Sequence, residues 1–145
     1  NCQTEDERVR TAELIRPILR GRDIRRYGYK WAELWIINIH NGIKGKLPRI
    51  KIEEYPAIKA HLDLYWDKIS KRTDKGDTPY NLRNCAYMED FSKPKIVWKI
   101  IGNQMAFAYD ANNYVMNNAC YIMTGDHLDY LLAVLNFPIT EVTFV

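Results

Sequence analysis

Apolar runs bounded by polar and turn-forming residues predict four strands along this chain. The run at 34–39 is rich in β-branched residues, which is typical of a buried strand. Residues 95–101 form a second such run, and a turn at 102–103 before the apolar segment 105–109 predicts a hairpin. Residues 119–123 predict the last strand.

Helical periodicity predicts three helices. Over 55–72, apolar residues recur at i, i+4, i+7, i+8 and i+11, and Pro56 suits the first turn. Thr11 predicts the N-cap of a short helix that Pro17 interrupts. Leucines at i, i+3, i+4 and i+7 predict a third helix over 128–135. The order of these elements predicts an α+β fold, with a mixed or mainly antiparallel sheet and flanking helices.

The length of 145 residues predicts a single domain over 1–145 that is large enough to bury a core. We expect poor order in the polar segment 1–10 and in 137–145. We interpret the chain as a fragment of a larger enzyme, because it begins with Asn1 and ends on Val145. Three cysteines without C-x-x-C spacing predict reduced thiols and a cytoplasmic location. Apolar runs stay short of the about 18 residues that span a membrane, so no membrane association is expected.

The net charge of +3 is unevenly distributed. Residues 1–51 carry 12 lysines and arginines against 6 acidic residues, whereas residues 100–145 carry none against 4. This asymmetry indicates a polyanionic partner for the first half and a packed or partner-facing second half. We expect the cations of the first hundred residues to converge on one concave surface.

The motifs that the sequence lacks exclude several kinds of catalysis. It contains neither a G-x-G-x-x-G nor a P-loop pattern. Without adjacent prolines it lacks the Asn/Asp-Pro-Pro-aromatic motif of amino-group methyltransferases. The histidines lie far apart, no acidic residue stands two places before a lysine, and the serines lack elbow glycines. The sequence therefore indicates a binding protein without catalytic or metal-ligating residues.

The segment 16–27 holds five arginines around Gly21 and Asp23. Guanidinium groups match phosphate oxygens and the guanine edge, and glycine permits a tight turn. Asp23 is suited to hold one arginine in place while the others point outward. A solvated basic turn and a nucleic-acid contact loop both fit this segment.

Other cations and polar side chains extend the candidate surface. Lysine and arginine suit phosphates, asparagine and glutamine suit adenine edges, and Tyr80 is a candidate contact in a polar loop. Lys93 and Lys95 fit either this surface or the entry to a central strand, where they would be solvated. The four tryptophans are expected as core residues. The candidate DNA-binding residues are Arg16, Arg20, Arg22, Asp23, Arg25, Arg26, Lys44, Lys46, Arg49, Lys71, Arg72, Lys75, Tyr80, Asn81, Arg83, Asn103 and Gln104.

Residues 17–24 with Tyr27 resemble the opening P-x-x-R-G-x-D-I motif of the TaqI-like C-terminal specificity domain. That domain is the target-recognition part of N6-adenine DNA methyltransferases and of fused type IIG restriction–modification enzymes. The sequence departs from the family at Phe137-Pro138, where a serine and a long helix usually follow. Further segments resemble the family in the same order, namely 55–62, 78–83, 91–98, 117–122 and 131–136.

The resemblance implies sequence-specific recognition of double-stranded DNA, which would be positioned for a covalently linked methyltransferase domain missing from this chain. S-adenosylmethionine is expected in that catalytic domain, and no cofactor in this chain. The resemblance leaves open whether the parent enzyme also cleaves DNA. It implies that Arg20, Arg22 and Arg25 contact phosphates or guanine while Asp23 positions them. An internal Arg20–Asp23 salt bridge that only shapes the turn is the alternative.

Three other functions stay open at this stage. A protein-interaction or scaffold module without nucleic-acid binding would use the apolar, acidic C-terminal third for docking. A small nuclease is the second, although the missing motifs disfavour it. An RNA-binding domain is the third, and exposed Trp31 and Trp98 would favour it.

Overall fold

The computed structural model describes residues 2–102 and 104–138. The chain divides into two compact units. Unit 1 comprises Asn1–Arg16 and Ile37–Ala86, and unit 2 comprises Pro17–Ile36 and Tyr87–Val145. The α+β class is confirmed by helices and two small sheets among the described residues. The prediction of one domain over 1–145 stays a prediction.

Unit 1 begins with helix α1 (Glu5–Leu14). The Thr4 side chain accepts a hydrogen bond from the backbone N–H of Glu7, which satisfies a donor at the helix start. The Glu7 carboxylate in turn accepts from the backbone N–H groups of Gln3 and Ala57. The expectation of an N-cap at Thr11 is therefore wrong, whereas that of poor order over 1–10 stays a prediction. Pro17 does not end this helix but lies in the strand after it.

The single helix predicted over 55–72 is wrong. The structure has two shorter helices, α2 (Pro56–Asp63) and α3 (Trp66–Ile69). The apolar stripe does not pack along its whole length, because its members Tyr65 and Trp66 are 47% and 43% exposed. The core of unit 1 joins elements far apart in the sequence, and its buried members are Leu14, Ile39, Ile52 and Ile58.

A three-stranded sheet has the order β2-β1-β5, with β1 (Ile15–Leu19), β2 (Trp35–Ile37) and β5 (Val115–Met116). Strands β1 and β5 run parallel. The prediction of a buried strand over 34–39 is corrected in two ways, because β2 is shorter and lies at the sheet edge. Trp35 and Trp66 are 57% and 43% exposed, so they are not the core residues that their apolar character predicts.

An antiparallel sheet in unit 2 confirms the other predicted strands. Strand β3 (Lys95–Lys99) lies between β4 (Phe107–Asp110) and β6 (Cys120–Met123). The β3–β4 pairing is the predicted hairpin. Helix α4 (Leu128–Leu135) is also confirmed, and it packs its apolar side on this sheet. Of the tail for which poor order is expected, residues 139–145 lie outside the described residues. Within the described segments, none of the helices has the length and apolar character needed to cross a membrane.

Candidate nucleic-acid interface

Arg20 and Asp23 form a bidentate ion pair at the start of the arginine-rich segment. The Arg20 Nη2 and Nε atoms lie 2.8 and 3.1 Å from the two Asp23 carboxylate oxygens. The backbone N–H of Arg20 also donates to Asp23, at 2.8 Å. Asp23 is buried, and hydrogen bonding to Arg20 lowers the pKa of its carboxyl group. This geometry fits the predicted positioning role of Asp23, and it makes Arg20 part of the scaffold.

Residues 22–29 form a segment that we call the arginine turn, and its residues 24–29 fold into a tight turn. Ile24 and Tyr29 form an antiparallel bridge, and the backbone N–H of Arg25 donates to the Gly28 carbonyl at 2.8 Å. Arg22, Arg25 and Arg26 are exposed on the arginine turn. The Arg25 guanidinium donates to the Arg22 carbonyl at 2.6 Å. The Arg25 side chain therefore stabilises the backbone of the same arginine-rich segment.

A buried ion pair is connected to the arginine turn through a hydrogen bond from Tyr29. Lys95 and Asp110 are both fully buried, and the lysine Nζ lies 2.6 Å from an Asp110 oxygen. Asp110 also accepts from the Tyr29 hydroxyl at 3.1 Å and from two backbone N–H groups, of Asn112 and Tyr114. The expectation that Lys95 is solvated is therefore wrong. Sequence reasoning missed this pair, although Lys95 and Asp110 stand opposite each other in the β3–β4 register.

In unit 1, a cleft of about 850 Å³ lies beside the loop that holds Lys44, Lys46 and Arg49. Lys44 and Lys46 are exposed on this loop. Arg49 pairs with Asp77 at 3.3 Å, and both side chains are largely exposed. The side-chain nitrogen of Asn41 donates to Asp77 and to Asn84, which ties the loop to the segment beyond. The structure thus brings these three predicted cations to one cleft.

Three predicted contacts of unit 1 make internal contacts instead. Asn81 is 2% exposed, and its side-chain nitrogen donates to the carbonyls of His40 and Ile50. Arg72 donates from Nη2 to the carbonyl of Asn81 at 3.2 Å. The Tyr80 hydroxyl donates to Asp63. These hydrogen bonds hold the loop 73–84 in place, and the donors that form them are bonded to other groups of the protein.

The remaining predicted residues vary in exposure. Lys71, Lys75, Arg83 and Gln104 are exposed, and Arg83 lies 3.6 Å from Asp74. Arg16 is partly buried, and this burial lowers the pKa of its guanidinium group. Asn103 lies outside the described residues. The expected convergence on one concave surface stays a prediction, because the cations are divided between the two units.

The described residues contain no group of three or more histidine, cysteine or acidic side chains that is arranged to hold a metal ion. Burial raises the pKa of the Cys120 thiol to about 11. Such a thiol stays protonated at neutral pH.

These features define the class of a small α+β binding module with rigidly mounted arginines. The chain belongs to the TaqI-like C-terminal specificity domain family, which matches residues 16–144. It is accordingly a DNA-recognition domain of a methyltransferase or restriction enzyme. No curated protein matches the chain.

Two glycines of the cleft loop allow a matched test of how tightly this loop is built. Gly42 has φ +76° and Gly45 has φ +77°, but only at Gly42 would a Cβ atom meet the backbone, including the Arg49 nitrogen at 2.7 Å. Left-handed strain alone costs an alanine about 1–2 kcal/mol. We expect Gly42→Ala to cost about 2 kcal/mol more than Gly45→Ala, since the backbone clash adds to that strain. Urea unfolding of both variants measures this difference, and equal costs would contradict the close packing of the loop.

Proposed function

We propose that this domain reads a specific sequence of double-stranded DNA and positions it for a linked adenine-N6 methyltransferase domain. Family membership supports DNA recognition. S-adenosylmethionine binding and methyl transfer belong to the linked domain in this proposal, and the parent enzyme is an adenine methyltransferase or a type IIG restriction–modification enzyme that acts in the cytoplasm. The observation that carries the proposal is the arginine turn, fixed by the Arg20–Asp23 pair and carrying exposed Arg22, Arg25 and Arg26.

The geometry gives these residues different tasks. The Nε and Nη2 groups of Arg20 both donate hydrogen bonds to Asp23, so Arg20 acts as a positioning residue. Arg22 and Arg26 are exposed, and their guanidinium groups match phosphate oxygens or the O6 and N7 atoms of guanine. A turn held in one conformation loses little entropy on binding, which favours affinity and a defined register on the duplex.

The cleft loop of unit 1 supplies a second set of cations in the proposal. Lys44 and Lys46 project from a loop that its glycines and the Asn41 bonds hold in place. Lysine binds phosphate as a point charge and carries no sequence information. We therefore assign phosphate contacts to this loop, and both phosphate and base contacts to the arginine turn.

Arg22→Ala in the intact protein tests the proposal. Each phosphate contact that is lost should reduce the slope of log affinity against log salt by about 0.9 and weaken binding at low salt. We expect this for mixed-sequence duplex DNA, measured by fluorescence anisotropy over a salt series. Arg8→Ala is the matched control, because it removes one exposed arginine that is paired with Glu5 on α1. Unchanged affinity and slope for Arg22→Ala, with the fold intact, would refute the assignment of the arginine turn.

The alternatives make different predictions in the same assay. A scaffold module would retain no DNA, and its associations would not depend on salt. Family membership disfavours that function. Trp31 and Trp98 are each partly buried, so their exposure does not favour the RNA-binding alternative.

A further inference from the structure

Tyr27 combines a strained backbone with an exposed aromatic ring. Its φ of +67° lies in the left-handed region, which bulky residues rarely occupy. Its side chain is nevertheless 56% exposed, so burial of the ring does not stabilise this conformation. Strain of this kind persists only where the surrounding structure imposes it, and it concentrates at functional sites.

Backbone hydrogen bonds impose the conformation of Tyr27. Its N–H donates to the Phe107 carbonyl of β4 at 2.8 Å. On either side, Arg25 N–H donates to the Gly28 carbonyl and Lys30 N–H to the Asp23 carbonyl, each at 2.8 Å. The arginine turn is thus fixed to the antiparallel sheet of unit 2, and the ring projects from a rigid support.

The surroundings of Tyr27 are cationic. Arg25 and Arg26 precede it directly, both exposed, and Arg22 is linked to Arg25 through the 2.6 Å bond to its carbonyl. An exposed aromatic ring among guanidinium groups is the combination that binds nucleobases, since every base has a face on which a ring can stack. The guanidinium groups attract the phosphates that flank such a base.

We propose that Tyr27 is a base-stacking residue, whose ring packs on the face of a nucleobase that has left the base stack of the bound DNA. The proposal rests on the function proposed above and adds a contact that is not electrostatic. Because a neutral ring releases no counterions from the DNA, its loss lowers affinity without changing the salt dependence. Loss of an arginine at the same turn changes both.

The test compares Tyr27→Asn and Tyr27→Phe in the intact protein. Asparagine tolerates a positive φ, so it removes the ring while it preserves the turn. For mixed-sequence duplex DNA with a central mismatched pair, whose bases unstack readily, we expect Tyr27→Asn to bind about 5- to 150-fold more weakly, the range that base stacking corresponds to, with an unchanged salt slope. Tyr27→Phe should bind like the native protein. The control is Tyr130→Asn on α4, a tyrosine that is 69% exposed on a helix without lysine or arginine.

The outcomes separate this inference from the proposed function. Native affinity for Tyr27→Asn, together with a reduced slope for Arg22→Ala, overturns the stacking role and leaves DNA recognition standing. A reduced slope for Tyr27→Asn also overturns it, because the residue would then act through charge. Unchanged binding in both variants overturns both proposals. If thermal unfolding shows that Tyr27→Asn destabilises the fold, Tyr27→Gly relieves the backbone strain and must give the same loss of affinity.

Discussion

Replacement of Asp110 by alanine is expected to lower the free energy of unfolding by about 3–5 kcal/mol, because it leaves the Lys95 ammonium buried without its counterion. Four donors converge on the Asp110 carboxylate, from Lys95, Tyr29, Asn112 and Tyr114. After the substitution Lys95 keeps its hydrogen bond to the Phe91 carbonyl, which does not neutralise the charge. Urea unfolding of the two proteins measures the difference.

Substitution of Lys95 and the double mutant show how much of this free energy of unfolding comes from the interaction between Lys95 and Asp110. Lys95→Met should cost less than Asp110→Ala, because the aspartate keeps hydrogen bonds from Tyr29, Asn112 and Tyr114. The double mutant should be less destabilised than the sum of the single changes, since no buried charge is left unpaired. Lys59→Ala, which breaks an exposed pair with Asp63, should leave the unfolding midpoint almost unchanged. Additive effects at Lys95 and Asp110 would contradict a coupled pair.

The pair also links the fold to the candidate interface. The Tyr29 hydroxyl donates to Asp110, and Tyr29 closes the arginine turn opposite Ile24. The Tyr29 ring in turn meets Tyr114 edge to face, with ring centroids 5.0 Å apart. Exposed arginines on a loop without such contacts would be mobile. Here the contacts of Tyr29 fix the arginine turn to the hairpin of β3 and β4.

Patterns with local causes were predictable from the sequence. Strands β3, β4 and β6 follow from runs of apolar residues with turns between them, and α4 follows from its leucine spacing. The start of α1 was also within reach, because Thr4 and Glu7 have the Thr-x-x-Glu spacing of helix starts.

Contacts between distant segments could not be predicted. Asn81 is suited by type to read adenine, yet its donors reach carbonyls 31 and 41 residues away in the sequence. The break between α2 and α3 could not be predicted for a similar reason. An apolar stripe does not show how much of the helix surface packs against the rest of the protein. The Arg20–Asp23 pair was foreseen as one of two alternatives because its partners are three residues apart. Side-chain type thus suggested the interface, and tertiary contacts decided which members stay exposed.

Asp23→Asn is expected to destabilise the protein by about 2–4 kcal/mol at neutral pH, because a charged acceptor of three bonds from Arg20 becomes a neutral amide. The pKa of Asp23 is lowered in the folded protein, with the Arg20 hydrogen bonds as the main cause. Its stabilising contribution is therefore complete above the unfolded pKa of about 4, and it is lost as the pH falls through the folded value. The stability difference between the native protein and Asp23→Asn should shrink in acid, which urea unfolding at a series of pH values measures.

The same substitution has an effect on DNA binding that charge alone would not give. Removal of a negative charge near cations strengthens binding to a polyanion if electrostatics alone decides. We expect Asp23→Asn to weaken binding instead, because Arg20 loses its partner and the arginine turn loses one of its supports. Asp126→Asn, which removes an exposed carboxylate before α4, should leave affinity unchanged or raise it. Equal or tighter binding by a folded Asp23→Asn protein would show that the turn needs no such support, and it would remove the physical basis for a rigidly presented arginine set.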